Sequence, residues 1–478
     1  MKRILLILCV YTIVASLMFV SCKKDDPDGG DDPMDDPMDD PVVLPPGATY
    51  LTPNPQPLGD VAAGYDYLVS GNYISSGIPY DIFTTVFPDE ENVLGRTGDN
   101  ATLAPEYTAI THSNGIKVVT ANCLQCHGAY LNGEYVVGLG NINADFTTDQ
   151  SGLVEGAEIL MGIQYADDAP EWEAFDAFAK GSEAVGPYIV TDVVGMNPAD
   201  QLFAILAAHR DKDSLEWQEE LNFDFPSEVV GTDVPPWWVL KKKNAPLYSG
   251  IGRGSYAKLF MAASTLTLEN LEEAEEVEAA FDDVISFIQS IEAPPYPNEV
   301  NEDLALEGKT IFESTCSGCH GTYGADWTYP NLLIDIDYIG TDAAAVNGGG
   351  TPYQSFLDWF NDSWFANSDN PGSLENTNGY VAQPLDGIWA TAPYLHNASV
   401  PTLSHLLNSE TRPTYWRRTA DSAYDETNVG WEFTEETSKV DKYTHDATKF
   451  GYGNQGHTYG DGLTEDERMA VIEYLKTI

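Results

Sequence analysis

The pattern Cys-x-x-Cys-His occurs twice, as Cys123, Cys126 and His127 and again as Cys316, Cys319 and His320. Two thiols at that spacing meet the two vinyl groups of one haem, and the imidazole next in sequence reaches the iron from the same side. A structural zinc would instead need a second pair of ligands at each site. The chain has six cysteines in all, and the remaining two, Cys9 and Cys22, lie near the N-terminus. None is left for a zinc site or for the disulfides that an exported chain would otherwise carry. The expected cofactors are therefore two covalently bound haem c groups, attached at Cys123, Cys126, Cys316 and Cys319, with His127 and His320 as proximal ligands.

Lys2 and Arg3, the apolar run from Ile4 to Val20, and Ser21 ahead of Cys22 read as an export signal. The small residue before Cys22 resembles a bacterial lipoprotein cleavage site, which implies a signal peptide over 1–21 and lipidation of Cys22. The stretch 22–48 is dominated by Asp, Pro and Gly and repeats Asp-Asp-Pro-Met. It has too little apolar surface to fold and repels itself, so a disordered acidic tether is expected. Its start, lysines followed by acidic residues, is similar to the surface-export signal of Bacteroidetes lipoproteins. The expected location is the cell envelope, as an outer-membrane lipoprotein that is periplasmic or surface-exposed. No later segment is long and apolar enough to span a membrane, so the membrane is reached through the lipid anchor only. The net charge of -52, from 23 basic and 75 acidic residues, argues against nucleic acid as a partner. A redox partner protein or a small-molecule oxidant or substrate remains.

A chain of 478 residues is long enough for two to three domains. Each motif is followed by a long irregular middle and then by a periodic helix. The first such helix is expected over Glu269 to Ile291, with Val277, Phe281, Val284, Ile285, Ile288 and Ile291 on one face and Pro294 and Pro295 stopping it. In the second copy a helix-like stretch from Leu304 to Phe312 precedes the motif. Thr464 and Glu467 have the form of a capping box, and Met469, Ile472, Leu475 and Ile478 follow at helical spacing. A helix bearing the haem motif and a terminal helix crossing it is the layout of cytochrome c domains, which this pattern resembles. The expected fold class is mainly α, with two cytochrome c-like haem domains in tandem and long irregular insertions. The expected division is a loop-rich N-terminal extension over 49–104, a first domain over 105–296 and a second over 297–478.

The group facing each iron from the other side decides between chemistry and electron transfer. After His320 the one methionine, Met469, sits on the apolar face of the last helix and is read as core. His396, His405, His445 and His457 remain. His457 lies in the Gly-rich stretch 451–460, where glycines let the backbone approach the haem, and is the expected distal ligand. The segment from Pro384 through Trp389, Pro393, Tyr394 and His396 to Leu403 resembles the signature of di-haem cytochrome c peroxidase-like proteins, and most closely of the di-haem rubber oxygenases. That resemblance implies a second haem held by two histidines, the distal one near the C-terminus. The related peroxidases make Tyr380 the runner-up, and His396 is either a packing residue or a redox one.

For the first haem, Met161, Met196, His209, Met261 and His112 are candidates, and none is convincing. The conspicuous stretch is Asp233, Val234, Pro235, Pro236, Trp237, Trp238, then Lys241, Lys242 and Lys243, and on through Tyr248 to Arg253. One tryptophan fills the core while the lysines pair with acids or haem propionates, or a tryptophan lines the distal pocket or bridges the haems. The stretch is similar to rubber oxygenases, in which a tryptophan sits in the pocket of an N-terminal haem whose sixth position is open to dioxygen. Trp237 and Trp238 are the catalytic candidates on that basis. The pocket phenylalanine of those enzymes has no counterpart in 250–253, so a polymer substrate is not implied. The expected function is a haem-dependent oxidoreductase, with dioxygen or peroxide chemistry at the first haem and electron relay at the second. The alternative is a non-catalytic di-haem electron-transfer protein.

Overall fold

Immediately ahead of the first motif the chain is a strand, not a helix. In the computed structural model, which describes residues 44–347 and 350–478, Tyr107–Thr111 and Lys117–Ala121 pair antiparallel, with Ile78–Pro79 added on the far edge of Lys117–Ala121. The β-branched residues Thr108, Ile110, Val118, Val119 and Thr120 suit a pleated surface. Asn114 and Gly115, with Gly115 at φ +91°, make the turn. A second hairpin, Gly128–Leu131 with Glu134–Val137, follows the motif directly. It turns on Asn132 and Gly133, both at positive φ, as a two-residue hairpin turn requires.

The expectation of a mainly α chain built as two tandem haem domains is therefore corrected. The fold is mixed α/β, 38% helix and 14% strand in several small sheets. Leu44–Ile478 forms a single compact unit. Among the described residues every strand is two to five residues long, too short for its alternation to stand out against irregular chain. The leader, Cys22 and nearly all of the tether lie outside the described residues. From Ala48 the chain already pairs: Ala48–Tyr50 joins Leu332–Asp335, which in turn pairs with Gly379–Val381. Among the described residues no helix is long and apolar enough to cross a membrane.

Two helix crossings organise the core. Leu271–Ser290 buries Val277, Phe281, Val284, Ile285 and Ile288, the face expected from the sequence. It is crossed by Val61–Ser70, a helix inside the stretch expected to be loop-rich, where Gly64 lies against the Asp283 backbone. Glu302–Thr315 crosses the C-terminal helix Glu465–Leu475 in the same manner, with Gly308 against the Ala470 carbonyl. In both cases a missing side chain lets two backbones touch. Phe312 packs on Tyr474 across the second crossing, ring centres 5.3 Å apart. The Thr464–Glu467 capping box is present. The last helix is buried on more than one face, since Ala470 through Leu475 are all buried, and Met469 packs at the edge of this core as expected.

Candidate functional site

Each motif occupies one turn of helix opening onto a cavity, and the two cavities are of similar size, about 330 Å³ at the first and about 340 Å³ at the second. All four cysteines line the cavities, and none of them is paired in a disulfide. Burial pushes Cys123 and Cys316 up to about 11 and Cys126 up to about 12.

At the second motif, Nδ1 of His320 is 2.8 Å from the Gln383 carbonyl oxygen. That oxygen can only accept, so Nδ1 carries the proton and Nε2 keeps its lone pair for a metal. His457 lies across the cavity, with ring centres 6.1 Å apart. A metal–imidazole bond of about 2 Å, plus roughly 1 Å from each nitrogen to its ring centre, puts two trans imidazoles about 6 Å apart. Burial depresses the His457 imidazole to about 3, so it is neutral, and its Nδ1 is buried without a partner. His457 also has φ +45°, a conformation uncommon for any residue but glycine.

The other histidines of this half are engaged elsewhere. His405 meets the Thr402 hydroxyl at 2.7 Å, and His445 meets the Tyr452 carbonyl at 2.9 Å behind Trp416. Tyr380 lines the cavity, but its hydroxyl donates to the Asp342 carbonyl at 2.8 Å and its ring stacks on His396 at 3.9 Å. His396 thus packs beside the cavity and is held neutral by burial, at about 3. The glycines of 451–460 do not line the cavity. Gly456 instead packs against the Gly340–Thr341 backbone, and Gly453 donates to Asp342 at 3.0 Å.

At the first motif, Trp237 stacks on His127, ring centres 4.6 Å apart and planes 20° apart. Gly138 ties the two together, donating to the His127 carbonyl and accepting from the Trp237 amide, each at 2.8 Å. Trp237 therefore supports the His127 imidazole, and its indole N–H is buried without a partner. Trp238 lines neither cavity: it is fully buried in the second core and donates to the Asp386 carbonyl at 2.7 Å. Alternation along the turn sends the two adjacent tryptophans to different cores. The lysines divide too. Lys241 pairs with Glu292 at 2.6 Å and Lys242 with Asp386 at 2.7 Å. Lys243 is buried at the first cavity, donating to the Pro246 carbonyl at 2.7 Å.

Among the described residues lining the first cavity, His127 is the only histidine and there is no methionine. Met161, Met196 and Met261 are buried in cores. His209 stacks on Trp217, and His112 faces Glu269 at 3.7 Å. Much of the lining is aromatic instead, including Phe203, Phe356, Trp359, Phe360 and Phe365.

Sequence reasoning did not single out the wall between the cavities. Asp233, Pro236, Val239 and Tyr248 line both. The Tyr248 hydroxyl donates to Asp233 at 2.8 Å, and burial raises the Asp233 carboxyl to about 7. Both residues fell within the conspicuous stretch, but nothing local marks them as shared. Residues 44–478 thus offer two thiol pairs, each with a neutral imidazole aimed into an apolar cavity, an arrangement that fits covalently attached haem.

Similarity to a known family bears on one segment that lines the second cavity. The family model described as RoxA-like, cytochrome c-like matches residues 379–417, which contain the Pro384 to Leu403 segment. The chain is 28% identical over 239 residues to the uncharacterized protein y4iJ of Sinorhizobium fredii, covering 37% of this chain and 39% of that one. It is 25% identical over 318 residues to the uncharacterized protein y4iM of the same organism, covering 56% of this chain and 69% of that one. The chain thus spans about two fifths of the length of the first of these relatives. The family match supports a cytochrome c-like relationship, which implies covalently bound haem c and suggests a haem-related redox role.

Proposed function

We propose that this chain is an exported, lipid-anchored di-haem c-type cytochrome that acts as an oxidoreductase, with a small oxidant bound at the first haem and electrons relayed through the second. Iron with an open sixth position binds dioxygen or peroxide, whereas iron held by two protein ligands mainly passes electrons. The observation that carries the reading is the difference between the two cavities. The second brings His320 and His457 to a spacing suited to two axial imidazoles, while the first offers His127 and an aromatic wall. Trp237 fixes the orientation of His127, and the aromatic side chains give the first cavity a largely apolar lining. Export and the lipid anchor rest on the leader and Cys22.

One observation favours a plain electron carrier. Lys243 lines the first cavity with burial lowering its ammonium to about 7, so its amine, once released from the Pro246 carbonyl, would be a sixth ligand. Carbon monoxide separates the two readings. The mature protein should give two haems per chain in a pyridine haemochrome assay and, when reduced, should take up one carbon monoxide per chain. His457→Ala should take up two. A wild-type protein that is wholly low-spin and binds none would leave the carrier reading, and a single haem would sink both.

A further inference from the structure

The loop that carries His457 has no secondary structure of its own, yet its buried carbonyls need partners. They are met from outside. Asn397, fully buried, donates to the Gly451 and Gly453 carbonyls at 3.1 and 2.9 Å, and His445 meets that of Tyr452. The carbonyls of the rest of the loop are met by one side chain, while the His457 N–H donates to the Ile339 carbonyl at 2.9 Å. Arg412 donates through Nη1 to the carbonyls of Asn454 and Gly456, both at 2.7 Å, and through Nη2 to that of His457 at 3.1 Å. Its remaining donors reach His405 at 3.0 Å and Leu406 at 2.9 Å, the C-terminal end of the short helix Leu403–Leu406. All five guanidinium donors go to main-chain carbonyls. No carboxylate lies within ion-pair distance of Arg412 among the described residues. In so acidic a chain, an arginine spent wholly on carbonyls is placed for geometry.

We propose that Arg412 is the positioning residue of the second haem site, holding His457 in its left-handed conformation at the spacing from His320 that axial ligation needs. The inference rests on the reading of His457 as an axial ligand. Arg412 does not touch the iron; it acts through the carbonyls on both sides of Gln455 and through that of His457 itself. The planar fork is what the site uses. A lysine would keep the charge but offers a single ammonium at the end of a flexible stem, and cannot span five carbonyls in two segments.

The test compares Arg412→Lys, Arg412→Gln and His457→Ala in the full chain matured with both haems. It reads the low-spin signal by electron paramagnetic resonance, carbon monoxide uptake, and the midpoint potential of each haem. Both arginine variants should keep two covalent haems and an unchanged first-haem spectrum. Both should also show a high-spin fraction at the second haem and bind a second carbon monoxide per chain. Loss of the low-spin signal in Arg412→Lys as well as in Arg412→Gln assigns the effect to the fork and not to the charge. A fully low-spin second haem and an unshifted potential in Arg412→Lys would overturn the proposal. If Arg412→Gln matures with one haem, Arg412→Lys decides together with hydrogen exchange at residues 453 and 457: faster exchange is expected, and unchanged exchange overturns it. If His457→Ala leaves the low-spin signal intact, the ligand assignment fails and the clamp with it. If His457→Ala loses the signal while Arg412→Lys does not, the clamp alone fails.

Discussion

Asp233 should make this protein less stable as the pH rises toward neutrality, and Asp233→Asn should remove that dependence. The carboxyl is 6% exposed in the wall between the two cavities, accepting from Tyr248, and burial raises it to about 7. In an unfolded chain an aspartate titrates near about 3.9. The folded state therefore binds this proton more tightly. Below pH 4 both states are protonated and the group costs nothing. Between pH 4 and 7 the unfolded chain has released the proton and the folded chain has not, so stability falls as pH rises. Above pH 7 both are ionised and the loss is constant. Three pH units at about 1.4 kcal/mol each give a ceiling of about 4 kcal/mol, because water entering the cavity would lower the cost of the charge. Asparagine keeps an acceptor for the Tyr248 hydroxyl but cannot ionise. The assay is guanidinium unfolding of wild type and variant by circular dichroism at steps from pH 4 to 8. The stability difference, variant minus wild type, should grow across that range by up to about 4 kcal/mol. Taking the change in this difference cancels both the hydrogen-bond term and the repulsion among the other carboxylates. A difference that stays flat would refute a buried, proton-holding Asp233.

The two tryptophans should separate by assay: Trp237→Phe should shift the iron–histidine vibration of the first haem in resonance Raman, because its ring lies on His127. Trp238→Ala should leave both haem spectra unchanged while costing about 3–5 kcal/mol in unfolding, and a spectral change there with no loss of stability would reverse the assignment. The same substitution in two helices should also act in opposite directions. Gly308→Ala drives a methyl group into the Ala470 carbonyl and should lower stability by about 1–3 kcal/mol. Gly156→Ala, facing open space in the helix Gly152–Gln164, should raise it by up to about 1 kcal/mol, and thermal melts that move together would contradict the helix crossing.

Much of the site was legible because its chemistry is local in sequence. The thiol spacing, the adjacent histidine and the shortage of other cysteines are set by the order of residues alone. So are the buried face of 271–290 and the capping box at Thr464, since helical period and cap geometry are fixed within a few residues. The hairpin at Asn114 and Gly115 was not read from the sequence, because its five-residue strands are too short to stand out against irregular chain. Position and elimination singled out His457, but its ring distance to His320 depends on a fold that closes more than a hundred residues between them.

Other features belong to the tertiary structure because they are relations between segments. Adjacent tryptophans look equivalent in a sequence, yet backbone direction sends Trp237 to His127 and Trp238 into a different core. The helix Val61–Ser70 reads as part of a loop-rich extension until Leu271–Ser290 supplies the partner for its glycine. Arg412 carries no local signal, since an arginine with five carbonyl partners is defined by those carbonyls and not by its neighbours in the chain. The sequence by itself determined which atoms are available for haem attachment, because covalent chemistry needs only the right side chains in the right order. The tertiary structure decided which residues face each haem site and which merely support it, because packing and hydrogen bonding act between residues that the chain holds far apart.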